Sequence, residues 1–141
     1  MSNLSRFLKE NKLEKKNVKY APTDSFTDEK GNPIEWEIRR ISTEENDKIR
    51  DRNMKDVEVE GQIGVYRQEL DISGYTSEFL ATSVVFPNLN DVGLQDSYGV
   101  KKASDLIKKL LDIPGDYQKF TVFVQSLNNL DEKADITKAK N

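Results

Sequence analysis

Few residues in this chain have both the type and the spacing to do chemistry, and each case has a plainer alternative. Asn88-Leu89-Asn90-Asp91-Val92-Gly93 resembles part of a calcium loop, with Asn88 and Asn90 at the first and third ligand positions and Gly93 at the sixth. The fifth position would then be Val92 and the twelfth Gly99, so two ligands fail. Helix capping is the better reading of these Asn and Asp residues. Glu35 and Glu37 could pair for hydrolytic work, yet they alternate with apolar neighbours, as the solvated outer residues of a strand do. Gly61-Gln62-Ile63-Gly64 lacks the lysine and the strand–helix setting of a phosphate-binding loop. Ser and Thr are plentiful, but the chain has no His, no Cys and no S-x-x-K pair. A Ser-His-Asp triad therefore has no base, and any metal site would have to be all-oxygen. Neither catalysis nor a metal or cofactor is expected.

The elements that would position such residues divide the chain by charge. Residues 72–100 hold only three charged side chains (Glu78, Asp91 and Asp96), and no Lys or Arg falls between Arg67 and Lys101. Residues 1–71 carry 14 basic and 16 acidic residues. Charge is costly to bury, so the core is expected in the quiet block. A single domain over residues 1–130 is expected, with a charged part (1–71), a helical core block (72–130) and a polar flexible tail (131–141). At this length a domain buries roughly 68% of the surface its unfolded chain would expose. Net charge is −3. The densest basic cluster, Lys12, Lys15, Lys16 and Lys19, is diluted by Glu10 and Glu14, so no nucleic-acid footprint is visible. No run approaches the roughly 18 apolar residues of a membrane span, and the first residues lack the apolar stretch of a signal peptide. A soluble, cytoplasmic protein is expected.

Leu4, Phe7 and Leu8 fall at i, i+3 and i+4, an apolar stripe on a short helix that Ser2 or Asn3 would cap. So short a helix cannot hold alone in water, so the stripe must dock on its own core or on a partner. Residues near Val18 and Tyr20 read as extended. Asp28 to Pro33 is a turn, and Ile34, Trp36 and Ile38 alternate with charged residues as in a half-buried strand. A β-hairpin follows, with Phe26 on its first strand and a buried Trp36 on its second. Ser42 and Glu45 have capping-box spacing ahead of a charged helix to about Lys55, anchored by Ile49. Residues 56–70 are either a strand pair or a mobile connector. Tyr75, Phe79 and Phe86, with Leu80 and Val84, mark a helix ended by Pro87. Asn88 or Asn90 would cap a short turn carrying Leu89, Val92 and Leu94. From Val100 to Leu111 the apolar positions recur with helical period. After Pro114-Gly115, Asp116 would cap a further stripe of Tyr117, Phe120, Val124 and Leu127. Its centre has high β propensity, but its length favours helix. The expected class is α+β, with an N-terminal helix and β-hairpin followed by a mainly α-helical C-terminal block.

Several stretches match one family in the same order. They include Leu4-Ser5-Arg6-Phe7-Leu8, Phe26 to Ile38, the Ser42-Thr43-Glu44-Glu45-Asn46 cap, Ser83 to Asp91, Leu94 to Val100 and Leu110 to Tyr117. Together, over about residues 2–130, they resemble the tail assembly chaperones of PBSX-like prophages and contractile-tailed phages of Gram-positive hosts. The resemblance implies a non-enzymatic role in tail morphogenesis. Such proteins are thought to coat the long helical tape measure protein until tail tube subunits polymerise around it, and then to leave the particle. The implied partners are the tape measure protein and the tail tube protein, in the bacterial host cytoplasm, with a homo-oligomer left open. Related systems make a longer form by frameshifting, and residues 131–141 would suit that junction or an ordinary C-terminus. Leu4, Phe7 and Leu8, and the Val100–Leu111 helix, are candidate client surfaces, although domain core is the plainer reading of the helix. Pro87, Leu89, Leu94, Tyr98 and Gly99 match the family pattern as fold determinants. Leu94→Ala would cost roughly 2–5 kcal/mol if that position is buried.

Overall fold

The computed structural model describes residues 3–130; the expected polar tail at 131–141 lies outside them. The architecture is α+β. A three-stranded antiparallel sheet has the order β1 (Val18–Tyr20), β2 (Trp36–Ile38), β5 (Val84–Phe86). A separate two-stranded hairpin joins β3 (Met54–Glu58) to β4 (Tyr66–Leu70). The helices are α1 (Thr43–Arg52), α2 (Ile72–Ser83), α3 (Val92–Ser97), α4 (Ala103–Leu110) and α5 (Pro114–Leu127).

The core draws mainly on the expected block, residues 72–130, and takes Trp36 and Ile38 from the charged part, where a period-2 strand meets the helices. Trp36 and Ile38 of β2 are buried with Phe79 and Leu80 of α2, Leu106, Ile107 and Leu110 of α4, and Phe120 and Val124 of α5. α2 packs against α4, and also against α1 and α5. Phe120 lies edge-on to Trp36, ring centroids 5.8 Å apart, and stacks on Tyr20 at 6.1 Å. Tyr20 in turn stacks on Phe123 at 4.0 Å. These rings lock β1 and β2 onto α5, which is helical through its β-prone centre: the helix turns Phe120 and Val124 inward and leaves Val122 outside, where a strand would put all three on one face.

Several expectations hold in detail. Ser42 Oγ accepts from Glu45 N at 3.1 Å and Ser42 N donates to Glu45 Oε1 at 3.0 Å, a complete capping box. Arg39 donates to both Glu45 oxygens, at 3.0 and 2.7 Å. The Arg39 guanidinium, followed by the Ser42 amide, holds the Glu45 carboxyl down at about 2. Of the two readings left open for residues 56–70, the strand pair is the one formed, β3 and β4 flanking a connection in which Gly61 and Gly64 have positive φ. Gly74 is needed for a different reason: a Cβ there would lie 2.6 Å from Asn53 Oδ1. That close approach lets the end of α1 meet the start of α2, where Asp71 N donates to Asn53 O at 2.8 Å.

Other expectations need correction. The N-terminal stripe forms two 3-10 turns, Leu4–Phe7 and Lys9–Asn11, and Asn3 makes no side-chain cap. With three residues per turn and no core beneath, there is no α-helical face to bury. Phe26 is not on a strand; β2 pairs with Val18–Tyr20, and Phe26 sits in the long connection. The turn inside that connection is nonetheless formed, with a Thr27–Pro33 bridge. The α1 helix ends at Arg52, because Met54 enters β3. The α2 helix stops at Ser83, short of Pro87, because the β-branched Val84 and Val85 lead into pairing along β2. The α3 cap is Asp91, whose carboxylate accepts from Leu94 N at 2.8 Å. Asn88 Oδ1 instead accepts from Asn90 N at 3.0 Å. Nor does Asp116 cap α5, which begins on Pro114; Asp116 accepts from the buried Thr23 hydroxyl at 2.9 Å.

Candidate functional site

Apolar side chains face outward at several places among the described residues, and two groups of them include residues singled out in the sequence. The first is the arm that precedes β1. Leu4, Phe7, Leu8 and Leu13 are 80%, 85%, 51% and 87% exposed. Asn11 Nδ2 donates to the Ser5 carbonyl at 2.7 Å and ties the two turns together. Arg40 Nη1 donates to the Lys16 carbonyl at 2.9 Å, fixing the root of the arm beside the end of β2. The stripe read from the sequence is therefore present as exposed apolar surface, and it does not dock on the core of its own chain.

The second feature is a cleft of about 180 Å³ lined by Phe26, Ile34, Trp36, Phe86, Pro87, Leu94, Tyr98 and Leu110. Three local devices shape it. The turn after Phe26 is held by Asp28 Oδ1, which accepts from Lys30 N and Asn32 N, each at 2.9 Å. Ile34 N then donates to Phe26 O at 2.9 Å, closing one wall. The chain leaves β5 at Pro87, which lines the cleft beside Phe86. The third device is α3, where the Asp91 cap and a 2.7 Å bond from Gln95 Nε2 to Leu89 O place Leu94 and Tyr98 on the opposite wall.

Sequence reading did not assemble this cleft, because its lining comes from the β1–β2 connection, β2, the end of β5, α3 and α4. The one signal was indirect. Pro87, Leu94 and Tyr98, singled out as fold determinants, line it, whereas Leu89 is buried beneath and Gly99 supplies a positive φ. Leu94 is only half-buried. The Val100–Leu111 face is core: Leu106, Ile107, Leu110 and Leu111 are at most 4% exposed, so it is not free for a client.

Polar groups elsewhere pair with one another. Arg52 and Asn53 both bond Glu78, and the Tyr75 hydroxyl bonds Asn46. Burial pushes the Tyr75 and Tyr117 hydroxyls above the usual tyrosine range. The buried Ser77 and Ser83 hydroxyls donate to the Gly74 and Phe79 carbonyls of their own helix. Glu37, facing out from β2, pairs with Lys19 at 3.6 Å. Among the described residues, no group of three or more acidic side chains is placed to hold a metal ion, and no helix is long and apolar enough to cross a membrane.

The structure is an α+β domain with part of its apolar surface turned outward, and comparison with known proteins gives its family. Residues 4–140 match the model of the phage XkdN-like tail assembly chaperone proteins, and the chain belongs to that family. It is 25% identical over 138 residues to the phage-like element PBSX protein XkdN of Bacillus subtilis (strain 168), covering 93% of this chain and 92% of that one. It is 24% identical over 129 residues to the uncharacterised YqbN of the same strain, covering 92% and 85%. The crystal structure of YqbN superposes with a TM-score of 0.76 over 93% of this chain and 99% of that one, at 19% identity, and so shares the fold.

Proposed function

We propose that this protein keeps a phage tape measure protein soluble during tail morphogenesis, without catalysing a reaction. Membership of the tail assembly chaperone family carries the reading. A tape measure protein is a long helical chain whose apolar faces have no partner until the tail tube forms. A chaperone for it needs exposed apolar side chains on a charged, water-seeking body. Leu4, Phe7 and Leu8 supply such side chains, on an arm that its own fold leaves uncovered. Burying each against a client helix is worth roughly 1.5–3 kcal/mol. The tail tube protein is the second partner, since its polymerisation displaces the chaperone. The site of action is the bacterial host cytoplasm, and the finished virion lacks the protein.

Co-expression with the tape measure protein encoded downstream tests this. The soluble fraction of the tape measure should rise and the two proteins should co-purify. No gain in solubility together with no co-purification refutes the proposal. Mass spectrometry of purified particles should find no stoichiometric copy; a full complement in mature tails would make this a structural subunit instead.

A further inference from the structure

We infer that, without a client, two copies of this chain associate by exchanging arms, Phe7 of each copy filling the apolar cleft of the other. This is a property of the free protein and stands whatever the client is. Three observations meet here. The cleft is about 180 Å³ and apolar, and an apolar cavity of about 150 Å³ is enough to hold a benzene ring. Phe7 is a single aromatic ring, 85% exposed. The charges around the two features are opposite. From Asn3 to Lys19 the arm carries six basic residues against two acidic ones. Two of the segments that line the cleft, 24–35 and 88–99, carry six acidic residues and one lysine, all exposed, while residues 105–112 around Leu110 add two acidic and two basic residues. An apolar ring on a basic arm and an apolar cleft with an acidic rim are complementary in shape and in sign.

The direction of the arm selects a second copy over self-insertion. Val18 pairs with Ile38 and Tyr20 with Trp36, so the arm leaves the sheet beyond Ile38, where Lys16 is tied to Arg40. The cleft lies at the other end of β2, around Ile34 and Trp36. The arm therefore heads away from its own cleft. One ring in one cleft is a weak contact, and a two-fold exchange doubles it while closing the assembly.

The test is sedimentation equilibrium of the full chain without client, across the micromolar range, at low and high salt. The wild type should form a reversible dimer that weakens as salt screens the rim. Phe7→Asp and Phe86→Glu should each be monomeric alone, and mixing the two should give an association weaker than the wild type's, through one intact arm and one intact cleft. Trp36, the only tryptophan, lines the cleft and gives a second readout. Its emission should change on dilution of the wild type and not of Phe7→Asp, which keeps the test decisive even if Phe86→Glu fails to fold. A wild type that is monomeric throughout overturns the inference. A dimer that survives Phe7→Asp overturns it equally. If the wild type is monomeric yet Trp36 emission differs from that of Phe7→Asp at every dilution, the arm occupies its own cleft and exchange is wrong.

Discussion

Replacing Phe120 by Ala tests the packing that joins sheet to helices. Phe120 is fully buried, edge-on to Trp36 at 5.8 Å and stacked on Tyr20 at 6.1 Å. Removing a buried Phe side chain costs roughly 3–5 kcal/mol. Two aromatic neighbours, each pair worth about 0.5–1.5 kcal/mol beyond burial, place the change in the upper half of that range. At about 4 °C per kcal/mol for a domain of this size, the midpoint should fall by roughly 16–20 °C. Thermal unfolding followed by far-UV circular dichroism measures it, with Trp36 fluorescence reporting the same contact locally. Val122→Ala is the internal control. Were residues 120–124 a strand, Phe120, Val122 and Val124 would share a face; in a helix Val122 points out, and here it is 61% exposed. It should change stability by no more than about 0.5 kcal/mol. A Phe120→Ala midpoint within ~4 °C of wild type, or equal losses at both positions, would refute the helical packing argued above.

Two further outcomes concern single contacts. The Glu45 carboxyl titrates at about 2 in the folded protein against an ordinary 4.5, so its contribution is complete above 4.5 and is lost as pH falls through about 2. Acid unfolding of Glu45→Gln should therefore show a shallower decline across that window. The effect is modest, because both partners of the Arg39 pair are about a third exposed and solvent screens them; identical acid profiles would show that the pair contributes no stability. Leu94→Ala, made in the Phe7→Asp background so that no arm covers the cleft, should cost less than the ~2 kcal/mol floor of a fully buried site, since Leu94 is half-buried at the cleft wall. A urea-determined loss well above that value would mean the cleft is closed in solution.

Much of this fold was legible because its signals are local. The Ser42–Glu45 box, the period-2 run through Trp36 and Ile38, and the helical stripe of α4 are each written within a few residues. Where signals compete locally, the sequence misleads. Val84 and Val85 continue the apolar pattern of α2, and only the vacant edge of β2 explains why they leave it. Asn88, Asn90 and Asp91 are all competent caps, and the backbone path after Pro87 selects Asp91. The partner of Trp36 could not be read either, because Phe26 and Tyr20 are both aromatic and both precede the turn.

The sequence by itself determined where charge is too dense to bury, which segments are amphipathic and that no His or Cys chemistry is available. It also determined that Leu4, Phe7 and Leu8 form an apolar cluster at the start of the chain. Tertiary structure decided that this cluster stays uncovered while the equally apolar face of α4 is sealed inside. Only three-dimensional packing could bring Phe26, Trp36, Phe86, Leu94 and Tyr98 around one cleft. Exposure and concavity depend on which distant surfaces meet, and no window along a chain contains that information.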